Sequence, residues 1–277
     1  LPKAYAVATT PVAAIFTIMT KVGIYAILRV NGTIFDDVFT QRLLTLWLLP
    51  LGLITSLYGV IGALGAERLR RFVGFMILSS VGTILVAIAL FNTQAWAAGL
   101  YYLVHSTLIA AAFYLLCGWI TSQRGEYKDH LKIAPKMKQD KVLSITFFLI
   151  ALMMAGLPPF SGFLGKVFIL QATAEHPYQL WIIGMVLVVS LLSIIAFILF
   201  WRATPPEQDR HEQQGQAYAN LPEQAPARND YAIYILLILL ILYVVFASPV
   251  YQYSLNTATQ VQDNALYETA ILKKDQQ

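Results

Sequence analysis

The chain has 277 residues, of which 58% are apolar and only 12% are Asp, Glu, Lys or Arg, against about 25% charged in a soluble domain. With a mean hydropathy of +0.63, this composition excludes disordered and collagen-like chains and speaks against a soluble enzyme. The net charge of +4 sits in loops, where membrane topology accounts for it, so no nucleic-acid partner is expected.

Seven segments are long and apolar enough to span a bilayer, which takes about 20 residues. In chain order they are Val12–Val30, Leu43–Leu64, Phe72–Phe91, Trp96–Ile120, Val142–Ala174, Leu180–Trp201 and Tyr231–Ser248. The runs are continuous rather than alternating, and only helices or closed barrels satisfy the backbone in lipid. The expected fold is therefore an all-α, multi-pass helical bundle. The 33-residue run Val142–Ala174 contains Gly156-Leu157-Pro158-Pro159-Phe160-Ser161-Gly162. Pro158, Pro159 and Gly162 predict one discontinuous helix, broken at that point, of the kind that lines ion sites in transporters.

Three regions follow: a membrane domain over 1–201, a flexible Gln-, Glu-, Ala- and Pro-rich loop over 202–230, and a last transmembrane helix with a C-terminal tail over 231–277. The tail carries Leu266, Ile271 and Leu272 among polar residues. Orientation comes from Lys and Arg. Lys21 and Lys166 lie inside spans, Arg29, Arg42, Lys273 and Lys274 lie on one side, and the remaining 13 of the 19 lie on the side of Leu1. That side is expected to be cytoplasmic, with the C-terminus outside. The chain opens on Leu1 with no basic stretch and no small-residue cleavage site, so no signal peptide is expected there and a longer parent protein is.

Chemistry is confined to few residues. Cys117 stands alone, and His105, His130, His176 and His211 are far apart. No disulfide framework, CxxC, HExxH, GxGxxG or Walker motif is present, so no metal and no cofactor is expected. Lys21 lies mid-span, about 13 Å from each interface, too deep to snorkel. Lys166 follows the break. Placing an ammonium there costs at least about 2.5–3.5 kcal/mol on insertion scales, which makes such groups functional candidates. His105 sits midway along its span with Tyr101, Tyr102 and Ser106 on a polar stripe, and histidine can pass a proton between its nitrogens. Thr17 and Thr20 are expected to flank Lys21 on one helix side. No Asp or Glu lies within any span, so a partner carboxylate is expected from outside this sequence.

The strings Leu1-Pro2-Lys3-Ala4-Tyr5, Thr20–Val30 (TKVGIYAILRV), Val104–Gly118 (VHSTLIAAAFYLLCG) and Ala155–Lys166 (AGLPPFSGFLGK) resemble the proton-translocating antiporter-like family. That family holds the antiporter-like membrane subunits of respiratory complex I and the large subunits of Mrp-type cation/proton antiporters, and the strings read closest to the Mrp branch. The resemblance implies the C-terminal half of a fold of about 14 helices built from inverted repeats. It implies that Lys21 is the central lysine, His105 an axial histidine, and Lys166 the charged residue of the broken helix. It also implies partner membrane subunits in a hetero-oligomeric antiporter of a bacterial inner membrane, with protons and Na⁺ or K⁺ as substrates and no enzymatic chemistry. Ser80 stands near where relatives carry His or Gln. Two other readings remain open at this stage: a proton-pumping membrane component of complex I, powered by quinone reduction, and a non-translocating scaffold.

Overall fold

A computed structural model of the chain describes residues 2–34, 38–124, 129–130, 140–202 and 231–263. The loop 203–230, most of the basic stretch 125–139 and the tail with Leu266, Ile271 and Leu272 lie outside the described residues. The described residues form helices α1 (Pro2–Val7), α2 (Thr10–Ile34), α3 (Val38–Leu64), α4 (Leu69–Ala89), α5 (Thr93–Arg124), α6 (Asp140–Ala155), α7 (Ser161–Gln171), α8 (Gln179–Arg202), α9 (Tyr231–Val245) and α10 (Ala247–Gln262).

Each apolar segment predicted from the sequence is helical. Helices α2, α3, α4, α5 and α8 are long and apolar enough to cross a membrane individually. The run Val142–Ala174 is split into α6 and α7, as its prolines and glycines predict. A second interruption was not predicted. The segment Tyr231–Ser248 was expected to be one straight span, but α9 stops at Val245 and α10 leaves it at 82°. Pro249 explains this: it has no N–H for the Val245 carbonyl, and its ring clashes with that carbonyl. In the first turn of a new helix the same proline is tolerated.

Helix α5 is the centre of the bundle, with Trp96, Tyr101, Phe113 and Trp119 all fully enclosed. Helix α4 is enclosed over most of its length, whereas about a third or less of the apolar stretch of α2, α3 and α8 is buried. Helix α3 turns Leu46, Trp47, Leu51, Ile54, Tyr58 and Ile61 outward, as expected of a lipid-facing helix.

Among the described residues, helices α3 and α4 make the most extensive close packing. Gly59 lies against the Ser79 backbone, and Gly82 against the backbone of Ser56 and Gly52. Small residues let helix backbones meet where no hydrophobic effect drives them together. Ser56 adds hydroxyl contacts to Thr83 at 3.3 Å and Ser79 at 3.5 Å. Gly82→Leu is expected to force the pair apart and to destabilise the protein by about 1–3 kcal/mol, the usual range for overpacking. Thermal unfolding in detergent checks this; an unshifted transition would mean that α3 and α4 are not in main-chain contact.

Candidate functional site

The site is organised by the break between α6 and α7. Helix α6 ends where Gly156 adopts φ +78, a conformation open to glycine. Pro158 and Pro159 follow, joined by a cis peptide bond, and helix resumes at Ser161. The last carbonyls of a helix lack intrahelical partners. At the end of α6 the Met153 carbonyl keeps a backbone partner, the Gly156 N–H at 3.2 Å, and both it and the Ala155 carbonyl meet the ionisable side chains singled out above. Lys166 Nζ donates to the Ala155 carbonyl at 2.9 Å and to Ser190 Oγ of α8 at 3.0 Å. His105 bonds to the Met153 carbonyl, while its Nδ1 lies 2.8 Å from Ser161 Oγ. The hydrogen-bond network therefore assigns the proton to Nε2, with Nδ1 accepting from Ser161. Glycines make room for both groups: Gly162 faces Met153 O and the His105 ring, and Gly156 faces the Lys166 head.

Lys21 reaches the same region from α2. Ala13, Thr17, Lys21, Ile24 and Leu28 form the buried seam of that helix, with the three- and four-residue spacing of one helix face. Lys21 is 2% exposed, and its Nζ donates to Ser80 Oγ of α4 at 3.2 Å. Thr17 shares the seam and donates to the Ala14 carbonyl at 2.7 Å. Thr20 does not flank Lys21 on that side. One residue earlier means about 100° around the helix, and its hydroxyl meets the Tyr5 hydroxyl at 2.7 Å instead.

A small cavity of about 20 Å³ lies beside His105 and Lys166, and Ser80, the acceptor of Lys21, is on its wall. Ser79, Ser80 and Thr83 of α4, Tyr102, His105 and Ser106 of α5, Lys166 of α7 and Ser193 of α8 line it. His105 is 1% exposed and Lys166 8%. Tyr101, expected beside His105, faces elsewhere: its ring packs on Phe168, and its hydroxyl donates to the Tyr243 carbonyl of α9 at 3.4 Å. Among the described residues neither lysine has a carboxylate partner, and no His, Cys, Asp and Glu group could hold a metal ion. Sequence reasoning missed Ser161, Ser190 and Ser193. Serines are commonplace in membrane helices, and no spacing marks these. A lysine, a histidine and a second lysine linked through hydroxyls can hold and pass protons.

The family model described as NADH:quinone oxidoreductase/Mrp antiporter, transmembrane, matches residues 1–193. A probable K⁺/H⁺ antiporter subunit of Rhizobium meliloti is 35% identical over 201 residues, 64% of this chain and 36% of that protein. A Na⁺/H⁺ antiporter subunit of Alkalihalophilus pseudofirmus is 32% identical over 282 residues, 99% of this chain and 54% of that protein. The chain thus spans about half the length of these curated relatives, or less. Among solved structures, a chain of the Mrp complex from Dietzia aligns with a TM-score of 0.76 at 23% identity, over 98% of this chain and 57% of that one. A chain of an archaeal membrane-bound sulfane sulfur reductase aligns with a TM-score of 0.78 at 20% identity, over 96% and 52%. These two likenesses speak for the fold.

Proposed function

Because the chain belongs to the NADH:quinone oxidoreductase/Mrp antiporter transmembrane family, we propose that it conducts protons within a monovalent cation/proton antiporter. The observation that carries this reading is the convergence of Lys21, through Ser80, with His105 and Lys166 on one buried cavity. Protons step between these three groups by way of hydroxyls and enclosed water. The membrane potential drives the movement, at about 2.3 kcal/mol per charge per 100 mV. The protein works beside other membrane subunits in a bacterial inner membrane. The side carrying Lys3, Arg68, Arg70 and Arg71 is cytoplasmic, and the end of α10 lies outside.

The test is Na⁺- or K⁺-induced proton movement in inverted vesicles carrying the assembled complex. Lys21→Ala is expected to reduce it by about 100-fold or more, the range typical of a lost proton-transfer group, at unchanged subunit level. Undiminished exchange in that variant would remove Lys21 from the pathway and with it the proposed route.

A further inference from the structure

Four of the hydroxyls around the cavity have their protons committed elsewhere. Ser80 donates to the Ile77 carbonyl at 2.7 Å and Thr83 to the Ser79 carbonyl at 3.1 Å. Ser106 donates to the Leu103 carbonyl at 3.0 Å, and Ser193 to the Val189 carbonyl at 2.7 Å. In each case the acceptor lies one turn back on the same helix. A hydroxyl whose proton is so engaged presents only oxygen lone pairs. Three helices, α4, α5 and α8, therefore aim acceptors into one small space. The ammonium that lines it, Lys166, already donates to Ala155 and Ser190, and both ring nitrogens of His105 are engaged. Once Lys166 has given up its proton, such a lining matches a hard monovalent cation, which sheds its hydration shell only where protein oxygens replace it. The C-terminal end of α6 also points its negative dipole end toward this region, an arrangement that coordinates cations in transporters.

We propose that this cavity binds a dehydrated alkali cation, Na⁺ or K⁺, through the oxygens of Ser80, Thr83, Ser106 and Ser193. The inference rests on the antiport reading and adds to it the place where the transported cation sits. Lys166 on α7 and His105 and Tyr102 on α5 are the titratable groups that line the cavity, and Lys21 on α2 stands one hydroxyl away through Ser80. Helices α4, α6 and α8 bring hydroxyls and apolar groups but no charge to its lining. A cation and the Lys166 ammonium repel strongly in a poorly screened interior. Loading the cation therefore expels a proton from Lys166, and re-protonation expels the cation. Exchange is then a competition at one cavity.

The assembled complex tests this, with exchange measured against Na⁺ and K⁺ concentration in inverted vesicles. Thr83→Val and Ser193→Ala each remove one oxygen at nearly constant volume. Each is expected to raise the half-saturating cation concentration about tenfold, the effect of one lost ligand worth 1.4 kcal/mol. Thr83→Ser keeps the oxygen and is expected to behave as the wild type. In the wild type, raising the pH is expected to lower the half-saturating concentration. If Thr83→Val fails to assemble, Ser193→Ala and Ser106→Ala carry the same test from other helices. An unchanged half-saturating concentration in the assembled oxygen-deleted variants would overturn the site and leave a water-filled cavity. Binding of radioactive Na⁺ or Rb⁺ to the solubilised complex separates this from failure of the antiport reading. Cation bound by the wild type and lost in Ser193→Ala supports the site even if no exchange is seen, and exchange without bound cation overturns the site alone.

Discussion

Lys166→Arg is expected to abolish cation-dependent proton movement while the complex still assembles. Lys166 is nearly enclosed and holds two acceptors, the Ala155 carbonyl freed by the helix break and Ser190 Oγ. Arginine supplies donors for both and keeps the positive charge, but it does not release a proton in proteins. A fixed charge that merely steadies the break would therefore survive the substitution, whereas a group that gains and loses a proton would not. The expected fall is about 100-fold or more. Lys166→Ala is expected to fail as well, and Lys166→His to recover part of the activity, since imidazole titrates near neutrality. The measurement is the cation-induced pH change in inverted vesicles, with subunit levels followed in parallel. Normal exchange by the arginine variant would reduce Lys166 to a structural charge.

Gly162→Ala is expected to damage both stability and transport, against its intrinsic helix propensity. Alanine favours a helix interior over glycine by about 1 kcal/mol, and Gly162 lies in the first turn of α7. A methyl there would sit 2.6 Å from the Met153 carbonyl oxygen and 2.7 Å from His105 Nε2. Neither atom belongs to a flexible chain end, so α7 must retreat or the His105–Met153 bond must break. Overpacking costs about 1–3 kcal/mol, and an orphaned buried polar group about 1–3 kcal/mol more. Gly184→Ala on α8 is the control, because its methyl would meet open space; it is expected to be neutral or slightly stabilising. Thermal unfolding of the two variants decides the matter. Equal transitions would mean that the α6–α7 junction has slack that the geometry does not show.

The apolar runs, the break at Pro158-Pro159 and the three ionisable residues were legible in the sequence because each violates a strong expectation. Charge in a span and proline in a helix are costly wherever they occur. What the sequence did not disclose depends on neighbours distant along the chain. Nothing local tells that His105 and Lys166 meet two carbonyls at the end of α6, or that Gly156 and Gly162 are small for their sake. Thr20 and Tyr101 were grouped by proximity in sequence, yet Tyr5 and Tyr243 are what they touch. The bend after Val245 was also missed, because the apolar run continues through it and Pro249 lies just beyond.

Gly59 and Gly82 have a mechanical consequence. Helices separated by side chains can shift an ångström or so as rotamers change, but helices in main-chain contact have no such compliance. Helices α3 and α4 therefore behave as a single rigid girder, and Ser80, the acceptor of Lys21, is mounted on it. Lys166 is mounted instead beside the interruption between Ala155 and Ser161, where the continuous helical ladder gives way to turn hydrogen bonds such as Leu157 N–H to Leu152 O and Phe160 N–H to Leu157 O. One lysine is thus held by a continuous helix pair and the other beside a turn that joins two shorter helices. The separation between the two ammonium groups, and the strength with which each senses the other's charge, is set by the geometry of a few residues in that turn.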